Sequence, residues 1–181
     1  MTKQEIVIEA GPHVWIINGG DQRPNATPDY NRLLRFDRRA KDLNTTPHDD
    51  RFCVFHVPFE GANVMGIAWD EALHRIWYVE SRRPKSATPV LAWFNPDELE
   101  CENFLDYSVP GAVAAASTRY CTSASQTHCI HTVPLMDWQD ANERLSWAAH
   151  VTVDAQAVWV AGFFSGAMSC AVSPRCATLP D

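Results

Sequence analysis

Three residues in the second half of the chain combine side chains that bind metal ions. His128, Cys129 and His131 offer imidazole nitrogens and a thiolate sulfur, which are the ligands that zinc prefers. In an extended strand, Cys129 and His131 lie on one face and His128 lies on the other. Two ligands on one face are too few for a closed zinc site, so the alternative is that Cys129 is a buried, small hydrophobic residue. The sequence therefore leaves the metal content of the chain open.

The six cysteines of the chain permit a second kind of chemistry. Cys121 with Cys129, and Cys170 with Cys176, are spaced to close small disulfide loops in an oxidising compartment, and free thiols are expected otherwise. The opening residues lack the long apolar stretch of a signal peptide. We therefore expect a cytoplasmic protein, or an exported one if a signal has been removed.

The motifs of common enzymes are absent from the sequence. No Gly-x-Ser-x-Gly marks a nucleophile, and Phe163-Phe164-Ser165-Gly166 comes nearest. The glycine patterns that bind phosphates and dinucleotides are missing as well. The net charge of -7 argues against a nucleic-acid partner, and no apolar run approaches the roughly 18 residues of a membrane span. We predict no catalytic residue, and these observations favour a protein that is not an enzyme.

A recurring order of strands organises the chain. Three apolar, β-branched runs surround a tryptophan, which is typical of β-strands: Val14–Asn18, Ile76–Glu80 and Val158–Gly162. A strand that ends at an acidic residue precedes each run, and a strand that stops at a turn-forming residue follows it. A fourth strand with a terminal Val-Pro occurs twice, at Cys53–Phe59 and Cys129–Leu135. The tryptophans Trp15, Trp77 and Trp159 are expected to pack between the units.

These strands predict one all-β domain over residues 1–181. Its units cover about 5–59, 63–135 and 148–174, with four, four and three strands. The units are longer than their strands require, and the additional residues are assigned to inserted loops at about 19–30, 98–127 and 136–145. We predict about three four-stranded, propeller-type blades, as part of a β-propeller or completed by an oligomer. A β-sandwich is the alternative.

The strand pattern resembles that of streptogramin lyases, gluconolactonase-like proteins and NHL-repeat propellers. The resemblance rests on Gly66–Asp70, Ile76–Glu80 and Leu91–Phe94, and on the similar run from His150 to Val160. It spans residues 5–174 as a blade pattern and implies the fold. The lyases also use a Glu-x-His pair with magnesium, and no such pair occurs here. The resemblance therefore carries over the architecture and not the catalytic set.

A ligand-binding face is predicted where the units converge. Its candidate residues lie at strand ends or in inserted loops: Glu5, Asn63, Glu80, Trp138, Trp147 and His150. The function expected first is a non-catalytic module that binds a small molecule, a glycan or a protein, without a cofactor. A divergent metal-dependent lyase or lactonase is the second, with Glu9, Asn63 or Glu80 and His150 holding a divalent cation. A purely structural assembly subunit is the third.

Open strand edges predict self-association. The third unit lacks a fourth strand, and exposed edges invite pairing with other chains. We therefore expect a homo-oligomer, most simply a dimer, in which the N-terminal strands face the third unit of the partner.

Overall fold

The computed structural model describes residues 5–18, 32–38, 48–58, 62–82, 89–99, 104–106, 116–135, 148–162 and 168–172. Every regular element in these ranges is a strand, so the all-β prediction is confirmed. The strands are β1 (Glu5–Ala10), β2 (His13–Asn18), β3 (Arg32–Asp37), β4 (His48–His56), β5 (Ala62–Asp70), β6 (Arg75–Arg82), β7 (Val90–Phe94), β8 (Phe104–Asp106), β9 (Ala116–Ser117), β10 (His131–Pro134), β11 (Ala148–Val153), β12 (Val158–Gly162) and β13 (Met168–Val172). Within the described ranges, no helix could cross a membrane.

Sheet 1 is built on an antiparallel meander of β1, β2, β3 and β4. A two-residue turn joins β1 to β2, and Gly11 occupies it with a φ of 58°, a conformation that glycine adopts without strain. Register places Trp15 of β2 between Ile8 of β1 and Arg35 of β3. The meander corresponds to the first predicted unit.

Two further strands extend sheet 1 from a segment that the sequence predicted as an inserted loop. β8 pairs antiparallel with β4, and β9 pairs parallel with it. Both lie inside the loop expected at about 98–127, so the assignment of that whole segment to loop was wrong for these residues. Strands this short carry little signal of their own, and they form because the outer edge of β4 offers unpaired backbone groups.

Sheet 2 is an antiparallel meander in the order β5, β6, β7 and β10. Register places Trp77 of β6 opposite Ala68 on one side and Trp93 on the other. The pairing of β5 with β6 shifts between Met65 and Ile67, and Gly66 between them has a φ of 57°. A glycine at a β-bulge accommodates this conformation readily.

Sheet 3 contains β11, β12 and β13 in that order. Trp159 of β12 lies opposite Thr152 of β11 and Cys170 of β13. The three meanders therefore have four, four and three strands in the described residues, at the positions where the sequence predicted strands.

Two hydrophobic cores hold the sheets together. Trp15 lies between sheets 1 and 2, with its ring centroid 5.5 Å from that of Phe55 and 5.1 Å from that of Phe94. Trp77 lies between sheets 2 and 3 with Leu91, Val158 and Val160. Sheet 2 contributes to both cores because its side chains alternate between its faces. The first strands of the sheets are also neighbours, since β5 contacts both β1 and β11.

A hydrogen bond between an aspartate and a tryptophan recurs in two of the sheets. In sheet 2, Trp77 donates its indole N–H to Asp70 over 3.3 Å. In sheet 3, Trp159 donates to Asp154 over 2.7 Å. Each aspartate also accepts backbone N–H groups of the turn that joins the first two strands. The acid that ends the first strand therefore fixes both the turn and the following tryptophan.

Sheet 1 lacks this contact. Trp15 lies opposite Ile8, and the residue two positions after Ile8 is Ala10, where the other two sheets have aspartate. The indole nitrogen of Trp15 is buried and has no hydrogen-bond partner among the described residues. Glu9 instead forms an exposed ion pair with Arg38 at 2.7 Å.

Candidate functional site

The outer face of sheet 3 carries a tryptophan that no second sheet covers in the described residues. Because side chains alternate, Val158 and Val160 point into the core and Trp159 points to the opposite face. His150, Thr152 and Ala161 share that face by register. Both His150 and Thr152 are exposed, while Trp159 is half-buried. Trp15 and Trp77, at the matching positions of sheets 1 and 2, are each buried against the next sheet.

The outer face of sheet 1 is largely apolar, and the exposed Glu9 lies on it opposite Val14. Val7, Val14 and Ile16 alternate with the core residues of β1 and β2, and they therefore point away from sheet 2. None of the three belongs to either core, and Val7 is 54% exposed. Leu34 of β3 lies opposite Ile16 and adds to the same face. Val7 is the exposed apolar residue of this end among those described, since Val14, Ile16 and Leu34 are half-buried and Val54, opposite Leu34, is 0% exposed.

A buried carboxylate lies between sheets 1 and 2. Glu80 is 0% exposed, although its neighbours along the core are apolar. Tyr78 donates a hydrogen bond to one carboxylate oxygen over 2.9 Å, and Tyr120 donates to the other over 2.7 Å. A buried charge is costly unless hydrogen bonds compensate it. These contacts anchor the segment around Tyr120 to sheet 2.

The predicted ligand-binding residues occupy different parts of the fold. Glu5 and Asn63 lie near the starts of β1 and β5, and their side chains are outside the described set. His150 lies in β11 with an exposed side chain. Glu80 is buried in β6 and pairs with Val64 of β5, the residue that follows Asn63. Trp138 and Trp147 lie outside the described residues, so binding by this set stays a prediction.

A closed loop with a disulfide precedes β10. Cys121 and Cys129 are bonded to each other, as their spacing permitted, with Cα atoms 5.3 Å apart. Cys53 is also disulfide-bonded. The possible bond of Cys170 to Cys176 cannot be followed here because Cys176 and the side chain of Cys170 lie outside the described set. No described cysteine is a free thiol.

His131 lies beside this disulfide, on the face predicted for it. The ligand atoms of Cys121, Cys129 and His131 all lie within 4.8 Å of one another. His128 points elsewhere, since its ring and its backbone N–H both contact Glu98. The sequence correctly placed Cys129 and His131 together and His128 apart, but it did not identify Cys121 as the third member of the cluster.

Aromatic and charged neighbours hold the His131 ring. It stacks on Trp93 with centroids 3.9 Å apart and planes inclined by 7°. The Arg75 guanidinium lies 3.8 Å from the centroid of the same Trp93 ring. Burial lowers the pKa of His131 most, and the charge of Arg75 also lowers it. A hydrogen bond to the Gln126 backbone and the charge of Glu98 raise the pKa, but the net shift is downward. The imidazole is therefore neutral near pH 7, which is the form that binds metals.

Comparisons with known proteins add no name to these features. No protein-family model, no curated protein and no solved structure matches this chain.

Several residues of these surfaces could not have been selected from the sequence. Tyr78 and Tyr120 reach Glu80 from positions 2 and 40 residues away in the chain, and only the pairing of strands brings the distant one close. Trp159 was predicted as a core residue between units, and this was wrong, because it is half-buried and belongs to neither core. The sequence does show an aspartate before each of two tryptophans, Asp70 before Trp77 and Asp154 before Trp159. Each aspartate accepts a hydrogen bond from the indole N–H of its tryptophan.

Proposed function

We propose that this protein is a non-catalytic interaction module of propeller-type sheets, and that its first partner is a second copy of itself. The observation that carries the proposal is the position of Trp159. The equivalent tryptophans of sheets 1 and 2 are buried by the next sheet, whereas Trp159 is half-buried on the last described sheet.

The opposite end of the stack supplies a complementary surface. In the proposed dimer, the Trp159 face of one copy packs on the Val7 face of its partner, and the reverse contact forms by symmetry. Two copies with three sheets each would make six sheets, which is within the range of about 4–8 blades found in propellers. The neighbouring first strands β1, β5 and β11 support this arrangement, because the first strand of every propeller blade lies next to the axis.

Charge substitutions on the two faces test this pairing. Trp159→Lys and Val7→Lys should each convert a dimer to a monomer, as measured by sedimentation velocity, because a lysine ammonium is costly to bury. The matched control is Leu73→Lys, since Leu73 is 56% exposed in the turn between β5 and β6. Circular dichroism should show that all three variants keep the β-sheet spectrum.

Mixing the variants identifies which faces meet. A mixture of the Trp159→Lys and Val7→Lys chains can form a heterodimer in which one of the two contacts is fully wild type. We expect the mixture to recover dimers that neither variant forms alone. If the mixture stays monomeric, or if Val7→Lys alone has no effect, the proposed pairing of sheet 3 with sheet 1 is wrong.

The absence of catalysis is tested separately. Thermal-shift titration with a panel of glycans and metabolites should reveal ligands without turnover. Turnover of a lactone or a cyclic depsipeptide would contradict the proposal and favour a divergent lyase or lactonase.

A further inference from the structure

We propose that Cys121, Cys129 and His131 bind a thiophilic divalent cation, such as Zn²⁺, when the Cys121–Cys129 disulfide is reduced. The site is independent of the proposed self-association. Among the described residues, these three form the group of potential metal ligands whose ligand atoms lie close to one another.

The distances suit a metal of this size. Ligand atoms around a tetrahedral zinc lie roughly 3.3–3.8 Å apart, because the zinc–nitrogen and zinc–sulfur bonds are about 2.0–2.3 Å long. The three ligand atoms already lie within 4.8 Å of one another. The two sulfurs are now at bonding distance, and after reduction the proposal requires them to move apart to this spacing by rotation of the cysteine side chains.

Backbone contacts hold the two cysteines together without the disulfide. The Cys121 N–H donates to the Ile130 carbonyl over 2.8 Å, and the Ile130 N–H donates to the Arg119 carbonyl over 2.8 Å. The two segments therefore remain paired on either side of the loop after reduction. A preformed pair of thiols loses less conformational entropy when it binds a metal.

The His131 ring is oriented as a metal ligand requires. One ring nitrogen is hydrogen-bonded to the Gln126 backbone, and the ring is held flat against Trp93 at a centroid distance of 3.9 Å. Metal-binding histidines commonly donate their second nitrogen to a backbone carbonyl in this way. The proposal requires the other nitrogen to bind the metal.

The disulfide and the metal exclude each other. A phosphine reductant breaks the sulfur–sulfur bond: each sulfur takes up a proton, and phosphorus is oxidised to the phosphine oxide with oxygen from water. Zn²⁺ then displaces the two thiol protons and accepts the His131 nitrogen, which leaves one position open for water or another ligand. In a cytoplasm that keeps thiols reduced, the metal form would prevail, and in an oxidising compartment the disulfide would.

Cobalt(II) is the spectroscopic probe of this site. The intact chain, reduced with a water-soluble phosphine, should bind a stoichiometric amount of Co²⁺. Binding should produce thiolate-to-cobalt charge-transfer absorption and the visible bands of tetrahedral cobalt, and Zn²⁺ should abolish both. The oxidised chain should show neither. Binding of equal strength by the oxidised chain would overturn the proposal, as would a reduced chain that unfolds and does not refold when Zn²⁺ is added.

Matched variants locate the metal. His131→Gln should weaken Co²⁺ binding by more than about tenfold, since even the outer partners of metal ligands are worth roughly 10–100-fold in affinity. Cys121→Ser with Cys129→Ser should remove the charge-transfer absorption although the remaining cysteines are present. His128→Gln is the control, because His128 is in the same loop but bonds Glu98, and it should bind like wild type. Equal affinity in the His131 and His128 variants would overturn the site.

Discussion

The indole N–H of Trp159 donates a hydrogen bond to the carboxylate of Asp154 over 2.7 Å. Trp77 makes the same contact with Asp70 in the neighbouring sheet. In sheet 2 the aspartate is the last residue of β5, and in sheet 3 it directly follows β11. In both hairpins the tryptophan lies near the start of the second strand. The contact links the turn to the tryptophan on which the proposed assembly depends.

The contact in sheet 3 should make stability depend on pH. Hydrogen bonds from the Gln156 backbone, from Trp159 and from the Ala157 backbone lower the pKa of Asp154 below its ordinary value of 3.8. A lowered folded-state pKa gives stability that is present above the unfolded pKa and is lost as the pH falls through the folded one. The melting temperature should therefore fall below about pH 4 more steeply in wild type than in Asp154→Asn. Glu71→Gln, at an exposed acid in another turn, is the control, and equal slopes in wild type and Asp154→Asn would contradict the assignment.

Loss of the equivalent acid in sheet 2 should destabilise the fold. Asp70→Ala removes the acceptor of the Trp77 indole and of the Leu73 N–H. An unsatisfied buried donor costs about 1–3 kcal/mol, so the free energy of unfolding in urea should fall by that amount. Glu71→Ala, at the next residue, should change it by less than about 0.5 kcal/mol, as exposed substitutions do. Equal effects of the two substitutions would show that the Asp70 contacts do not stabilise the sheet.

Tyr120 should stabilise the fold through Glu80. Tyr120→Phe removes a 2.7 Å hydrogen bond to a carboxylate that is fully buried, and the loss should cost about 1–3 kcal/mol in urea unfolding. Glu80→Gln replaces the carboxyl group that this hydroxyl contacts. The double variant should therefore be less destabilised than the sum of the single ones, with a coupling of about 0.5–3 kcal/mol. Strict additivity would mean that the contact does not contribute.

The strands could be predicted because their pattern is local. Runs such as Ile76–Glu80 combine β-branched and aromatic residues, and the acid and turn before each run mark a hairpin. The sequence also shows why sheet 1 matches the others less well. Its first strand has Glu9 and Ala10 where the register requires an aspartate at position 10, and Trp15 is left without a partner in the described residues.

The candidate sites depend on contacts between distant residues, and these could not be predicted. Cys121 reaches His131 only because the loop closes between them, and β9 reaches sheet 1 only because β4 has an open edge. Spacing in the sequence permitted a disulfide of Cys121 with Cys129 and placed His131 on the face of Cys129, but it did not bring the three residues into one cluster. The strands were visible from the pattern, whereas the face of the proposed assembly required the burial of each tryptophan.

The mass of the protein in solution tests the central proposal most directly. Multi-angle light scattering at micromolar concentration gives this mass without a shape assumption. Pairing of the Trp159 face with the Val7 face of a partner predicts a dimer with twice the mass of one chain, and this mass should fall to that of a single chain in Trp159→Lys. A wild-type protein that remains a monomer at this concentration would contradict the proposed assembly.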